Sequence, residues 1–220
     1  MGAITAEYLA RMEDLLHLYR LPYDPRRPII YFDELPVQLL GDVVAPLPLK
    51  AGQPRRVDYE YARGGTAVLL VAFEPLTGRR VVEVSVQRTK ADYCRFQQRV
   101  ATLWSDAEKI VLVQDNLNTH NASSFYEHLP AAEAFDLMQR FEFHYTPKKG
   151  SWLNMAELEL SALSRICLSR RIGSITELDS QIQALVAERN ALQLTVDWQF
   201  SITEARDKLR RHYDKVKSKD

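Results

Sequence analysis

The rhythm of apolar positions changes along the chain, and each change predicts an element. Leu9, Met12, Leu16 and Tyr19 recur at helical spacing, which predicts an amphipathic helix over residues 5–19, stopped by Pro22, Pro25 and Pro28. Ile29 to Phe32 is a short apolar run without alternation, the pattern of a strand covered on both faces, and it is expected to stop at Asp33 and Glu34. Residues 35–56 hold four prolines and two glycines and read as a long loop. Val57, Tyr59 and Tyr61 alternate with charged residues, Gly64 and Gly65 punctuate, Ala67 to Phe73 is a second apolar run, and Val82, Val84 and Val86 alternate after Gly78. Meandering antiparallel strands fit that zone.

The period then switches. Tyr93, Phe96, Val100 and Leu103 mark a helix face, Ile110 to Val113 a buried strand ending at Asp115, residues 123–140 a helical region broken at Pro130, and Phe141 to Tyr145 a last strand. A strand that follows a helix usually returns parallel to an earlier one through a crossover. After Pro147 the pattern is helical, with helices expected near 154–171, 174–191 and 201–213. Ser174 with Glu177 and Ser201 with Glu204 form capping-box pairs at two starts. The predicted fold class is α/β, a mixed five-stranded sheet flanked by helices with a helical C-terminal tail.

Composition narrows the classes. With 46% hydrophobic and 26% charged residues in 220, the chain is globular, and it has no apolar run near the ~18 residues of a membrane span. Glu7, Glu13 and Asp14 interrupt the pattern of a secretory or transit leader, which points to a cytoplasmic protein. Cys94 and Cys167 stand alone and argue against a disulfide framework or a structural zinc site. Basic and acidic residues cancel at 29 each, so a nucleic-acid partner has to be argued from a site.

Three carboxylates fall where such a sheet concentrates chemistry. Asp33 and Asp115 follow two strands that would lie side by side, and Glu157 comes in the first turn of the helix after the last strand. Crowded carboxylates repel unless a cation joins them, and oxygen ligands without His or Cys select Mg²⁺ or Mn²⁺. Each also has a plain structural reading: a turn or cap for Asp33, a turn with Asn116, Asn118 and Thr119 for Asp115, and a capping box with Asn154 for Glu157. Spacing alone leaves both readings open. It also leaves Glu157 and Glu159 undecided, because they flank the stripe Leu153, Ala156, Leu160, Leu163 and Cys167 on opposite sides.

The segments YFDE (31–34), VLVQDNLNTHNA (111–122) and FHYTPKKGSWLNMAELELSALSR (143–165) resemble the three catalytic blocks of mariner-like transposases, the DDE superfamily endonucleases of bacterial insertion sequences. ARMEDLLHLYRLPYDPRRP before them and TVDWQFSITEAR near the end extend the resemblance over most of the chain. The resemblance implies a ribonuclease-H-like fold with Asp33, Asp115 and Glu157 as catalytic metal ligands, and only Glu157 matches the family's Asn-x-x-Glu position. It implies two Mg²⁺ or Mn²⁺ ions, cleavage of transposon-end DNA and strand transfer into target DNA.

Residues 1–28 then read as a linker from a missing DNA-binding domain, 29–173 as the catalytic domain and 174–220 as C-terminal helices packed on it. Family members carry helix-turn-helix domains upstream, so an upstream helix-turn-helix partner or fused domain, a homodimer on DNA and a nucleoid-associated location are expected. His120, Lys148, Lys149 and the arginines Arg165, Arg170 and Arg171 on one helix are candidate phosphate contacts, although His120 also reads as a surface helix cap and Trp152 as core. The rival functions are a ribonuclease-H-like nuclease that does not join strands and an inactive DNA-binding or dimerisation remnant.

Overall fold

The computed structural model describes residues 4–43 and 60–217. One mixed sheet of order β3-β2-β1-β4-β5 organises it. The strands are β1 (Ile29–Asp42), β2 (Tyr61–Glu74), β3 (Arg79–Ser85), β4 (Ile110–Gln114) and β5 (Phe141–Tyr145). The helices are α1 (Ala6–Leu18), α2 (Lys90–Leu103), α3 (Ser123–His128), α4 (Ala131–Arg140), α5 (Ala156–Cys167), α6 (Ile175–Ala191), α7 (Ile202–Lys208) and α8 (Arg210–Lys217), with a 3-10 turn at Ser151–Leu153. β1, β2 and β3 pair antiparallel, whereas β4 runs parallel to β1 and β5 parallel to β4. Parallel neighbours need crossovers, which α2 and the α3–α4 pair supply.

Side-chain alternation along the strands divides the core into layers. Ile30, Phe32, Leu70, Ala72, Ile110 and Leu112 face α2, α3 and α4. On the other face Val37, Leu39, Leu69, Val71 and Phe73 pack under α5 and α6, and Tyr31, Val111 and Val113 pack under α1 and the start of α5. The stripe Leu9, Met12, Leu15 and Leu16 is therefore buried in one layer with Tyr31, Val111 and Val113 of the sheet and the start of α5. Both cysteines are buried and unpaired. No helix among the described residues is long and apolar enough to cross a membrane.

Several expectations need correction. β1 does not stop at Asp33 but runs on to Asp42, because β2 pairs with it from Tyr31 to Asp42, well past the end of the β4 ladder. Pro36 is tolerated there because alternation turns its missing N–H toward the edge that β4 no longer covers. Gly64 and Gly65 do not separate two strands; they lie inside β2 at a bulge opposite Leu39 and Leu40. A Cβ on Gly64 would sit 2.3 Å from the Gly173 carbonyl oxygen, so the close approach of the loop after α5 requires glycine. Val57 and Tyr59 lie outside the described residues. α5 ends at Cys167, so Arg170 and Arg171 are not on the helix that carries Arg165. The last helical stretch is two helices, α7 and α8, with the Ser201–Glu204 capping box formed.

One charged network is buried between sheet and helices. Arg189 grips Glu159 with two hydrogen bonds of 2.9 Å. Arg80 on β3 comes within 3.3 Å of the same carboxylate, and the Arg80 and Glu159 side chains are both sealed from solvent. Arg80 is further held by the Leu194 carbonyl and the side chain of Asn190. Glu159 thus ties α5 to α6 and to β3. Removing one partner of a buried pair leaves the others uncompensated, so Glu159→Gln is expected to lower unfolding free energy by about 3 kcal/mol or more. Urea denaturation checks this as a lower midpoint at unchanged slope; a midpoint equal to wild type shows that the network contributes nothing net.

Candidate catalytic site

The two aspartates are brought together by strand register. The β1–β4 ladder ends at the pair Tyr31 and Val113. Asp33 and Asp115 each follow two residues later on these parallel neighbours, so alternation sends both toward the face of Tyr31 and Val113. Leu153, Met155 and Ala156 pack into that same layer, which seats the first turn of α5 and Glu157 beside the strand ends.

Asp33 is held on both sides. The Glu34 backbone N–H donates to its Oδ1 at 2.8 Å, and Asn154 Nδ2 donates to its Oδ2 at 3.3 Å and to the Phe32 carbonyl at 2.8 Å. The Oδ1 of Asn154 accepts the Ala156 N–H at 3.1 Å, so one side chain joins Asp33 to the start of α5. Burial pushes the Asp33 carboxyl up to about 6; the Glu34 amide opposes the rise, and the charges of Asp115 and Glu157 add to it. Its anion is thus uncomfortable in the fold and lies within electrostatic reach of the other two carboxylates.

Glu157 and Glu159 separate cleanly. Glu159 is buried and spoken for by Arg189 and Arg80. Glu157 is half-buried, and α5 has no side-chain cap, so the alternative reading of Glu157 as the partner of Asn154 in a capping box does not hold. Among the described residues the three acidic groups do not close into a ready-made cage for one ion. Mutual repulsion favours such spacing.

His120 is not a surface cap, and it is too enclosed to meet a DNA phosphate: its side chain is 1% exposed. Nε2 bonds Glu34 Oε1 at 2.9 Å and Nδ1 bonds Asp115 Oδ1. The ring stacks on Tyr93 and meets Phe32 edge-on, with centroids 5.2 and 5.0 Å away. Burial opposes its charge, but the hydrogen bonds to Asp115 and Glu34 win and lift it to about 9. The charged clamp is therefore complete below the ordinary histidine value near 6.5 and is lost as pH rises through about 9. Sequence reasoning passed over Glu34 and gave Asn154 only a capping role. The acidic pair Asp33–Glu34 and the Asn-x-x-Glu spacing were the available signals.

The remaining candidates scatter. Lys148 and Lys149 are exposed in a tight turn after β5, and Thr146 just before it donates its N–H to the Gln114 carbonyl, next to Asp115. Arg165 and Arg170 are exposed, whereas Arg171 is engaged by Asp42 and the Glu60 carbonyl. Trp152 is not core: it is 42% exposed and stacks on Trp198, beside Phe200.

The sheet order, the crossover helices and the aspartates two residues past the β1–β4 ladder define a ribonuclease-H-like domain. A family model described as DDE superfamily endonuclease matches residues 28–179, and the chain belongs to that family. Comparison with curated proteins gives no match. Among solved structures the chain is similar to the Mos1 mariner paired end complex with Mn at 14% identity and TM-score 0.55, covering 99% of this chain and 65% of that one. It is similar to the Mos1 transposase paired-end complex with left transposon end at 15% identity and TM-score 0.56, covering 99% and 63%. The Mos1 strand transfer complex matches at 17% identity and TM-score 0.55, covering 96% and 60%. The chain therefore spans under two thirds of the length of these structures.

A carboxyl raised in the fold is easiest to keep protonated. Its contribution is intact below the unfolded value near 3.8 and is lost as pH climbs through about 6. Asp33→Asn removes that loss, so the variant is expected to be more stable than wild type at pH 8 by on the order of 2 kcal/mol, or about 5 °C in melting temperature, and equal to it near pH 3.5. Thermal melts of both chains at the two pH values check this. A difference that does not change with pH contradicts a strained Asp33 anion.

Proposed function

We propose that the chain is the catalytic part of a mariner-like DNA transposase, in which Asp33, Asp115 and Glu157 hold two divalent cations that serve cleavage at an element's ends and strand transfer into target DNA. The observation that carries this reading is the register that sets Asp33 and Asp115 at equivalent positions on the two central parallel strands, with Glu157 seated on the same face. The three sequence blocks around these residues support it, as do the similar Mos1 structures, which are paired-end complexes with Mn and Mg and a strand transfer complex.

The donor set fits such ions. It is built of hard oxygens with no sulfur, and Asp33, which burial and like charge both penalise, is a ligand that a cation relieves. Bound there, Mg²⁺ or Mn²⁺ supplies activation of the attacking oxygen and charge neutralisation at the leaving oxygen in an in-line displacement at phosphorus.

The chain's own residues do the positioning. Asn154 and the Glu34 amide fix the Asp33 carboxylate. Glu159, locked by Arg189, anchors α5 so that Glu157 keeps its place. Lys148 and Lys149, exposed near Asp115, offer charge to the DNA backbone, with Arg165 and Arg170 further along α5 and the turn after it. Such phosphate contacts carry no sequence information, so recognition of particular ends is assigned to an upstream helix-turn-helix domain or partner, and a homodimer would bring two ends together.

The test uses labelled duplexes with and without a pre-cut 3′-hydroxyl, together with plasmid target. With Mg²⁺ the wild-type chain is expected to nick DNA and to join pre-cut ends to the plasmid, and Asp33→Asn, Asp115→Asn and Glu157→Gln are each expected to lose at least about 10³-fold in both reactions. Nicking without joining would point to a plain nuclease. Full activity in any of the three variants would overturn the ligand assignment.

A further inference from the structure

Glu34 and His120 stand outside the three proposed ligands yet touch two of them. Glu34 lies on β1 with its side chain toward the layer opposite Asp33, nearly sealed at 6% exposure. Its backbone N–H holds Asp33 Oδ1 at 2.8 Å, while its Oε1 meets His120 Nε2 at 2.9 Å. From the other ring nitrogen His120 reaches Asp115 Oδ1. The Asp115 side chain itself is 34% exposed, so one of its oxygens is anchored from beneath while the carboxylate stays open to solvent.

The ring that makes this connection cannot swing. It stacks on Tyr93 and meets Phe32 edge-on, and the Gln114 side chain bonds both the His120 carbonyl at 2.7 Å and the Tyr93 hydroxyl at 2.9 Å. Sealing a carboxylate and an imidazole inside an aromatic layer carries a desolvation cost of several kcal/mol per ion, and apolar groups of the same shape usually serve stability as well or better. What apolar groups cannot do is fix the orientation of a partly exposed carboxylate at the strand end. Metal-binding groups are commonly oriented by such hydrogen-bonded partners behind them.

We propose that Glu34 and His120 form a buried positioning relay that holds Asp115 through its Oδ1 and Asp33 through the Glu34 amide, so that the two aspartates stand as a pre-formed ligand pair before any cation arrives. Neither residue of the relay touches the cation; each acts through an aspartate. The relay rests on the metal-site reading given above, and the experiment separates failure of one from failure of the other.

The experiment measures Mn²⁺ binding to the full chain by the electron paramagnetic resonance signal of free Mn²⁺, with urea denaturation in the absence of metal as a check on folding. Wild type is expected to bind. His120→Ala and Glu34→Ala are each expected to weaken Mn²⁺ affinity 10- to 100-fold, the usual range for loss of a group that orients a ligand. The double variant is expected to be no weaker than His120→Ala, because the two act in one chain of contacts. Glu34→Gln keeps an acceptor for Nε2–H and is expected to stay within about threefold of wild type, whereas a merely structural role would show in the urea midpoint and leave affinity alone.

Should His120→Ala not fold, Glu34→Ala carries the test alone, since its side chain is not part of the ring stack. Affinity within twofold of wild type in folded Glu34→Ala overturns the relay. Glu34→Gln as weak as Glu34→Ala overturns it in favour of a direct charge effect. A wild-type chain that binds no Mn²⁺ at all overturns the metal-site reading itself, and the relay with it.

Discussion

The parallel pairing of three residues of β1 with three of β4 is the contact on which the rest of the site depends. Ile29, Ile30 and Tyr31 meet Val111, Leu112 and Val113, and among the described strands this is the ladder that joins the antiparallel half of the sheet to the parallel half. Because side chains alternate with a period of two, this register decides where Asp33 and Asp115 go. A slip of one residue would send one aspartate to the opposite face, toward Tyr93 and Phe125, and away from α5. The register therefore specifies the chemistry. Both strands are buried on both faces, and a slipped strand would expose no new apolar face to penalise it; the penalty comes instead from stranding a carboxylate in an aromatic layer.

The charged groups near these strand ends are arranged in depth. Asn154 and the Glu34 amide meet Asp33, His120 meets Asp115 from below, and Arg189 with Arg80 anchors the helix that presents Glu157. Each proposed ligand is thus backed by a protein contact or by an anchored helix, and the acidic groups are kept apart rather than neutralised by one another. Glu159 shows the contrast. Two positions from Glu157 on the same helix, it has met its charge requirement inside the protein and has nothing left to offer a cation.

Much of this was legible in the sequence, for physical reasons that differ by element. β5 at Phe141–Tyr145, the break at Pro130 and the starts at Ser174 and Ser201 are local signals, and they appear in the structure where the sequence places them. The extension of β1 to Asp42 is tertiary: its polar, proline-containing second half is a strand only because β2 pairs with it. Gly64 and Gly65 read as punctuation because a bulge and a turn use the same residue type. The aspartates were legible because each follows an apolar run. The burial of His120 and the exposure of Trp152 were not, since neither depends on its neighbours in sequence: one is enclosed by Tyr93 and Phe32, the other rests on Trp198 from the chain's far end.

Asp33, Asp115 and the start of α5 are assigned here to a cation site, and manganese has to bind there if the assignment holds. Crystals of the chain grown in Mn²⁺ and measured at the manganese absorption edge test it most directly. Anomalous density is expected within bonding distance of Asp33 and Asp115 or Glu157, with His120 still bridging Asp115 and Glu34. Anomalous density elsewhere on the chain, with Asp33 bound only by Asn154 and the Glu34 amide, would contradict it.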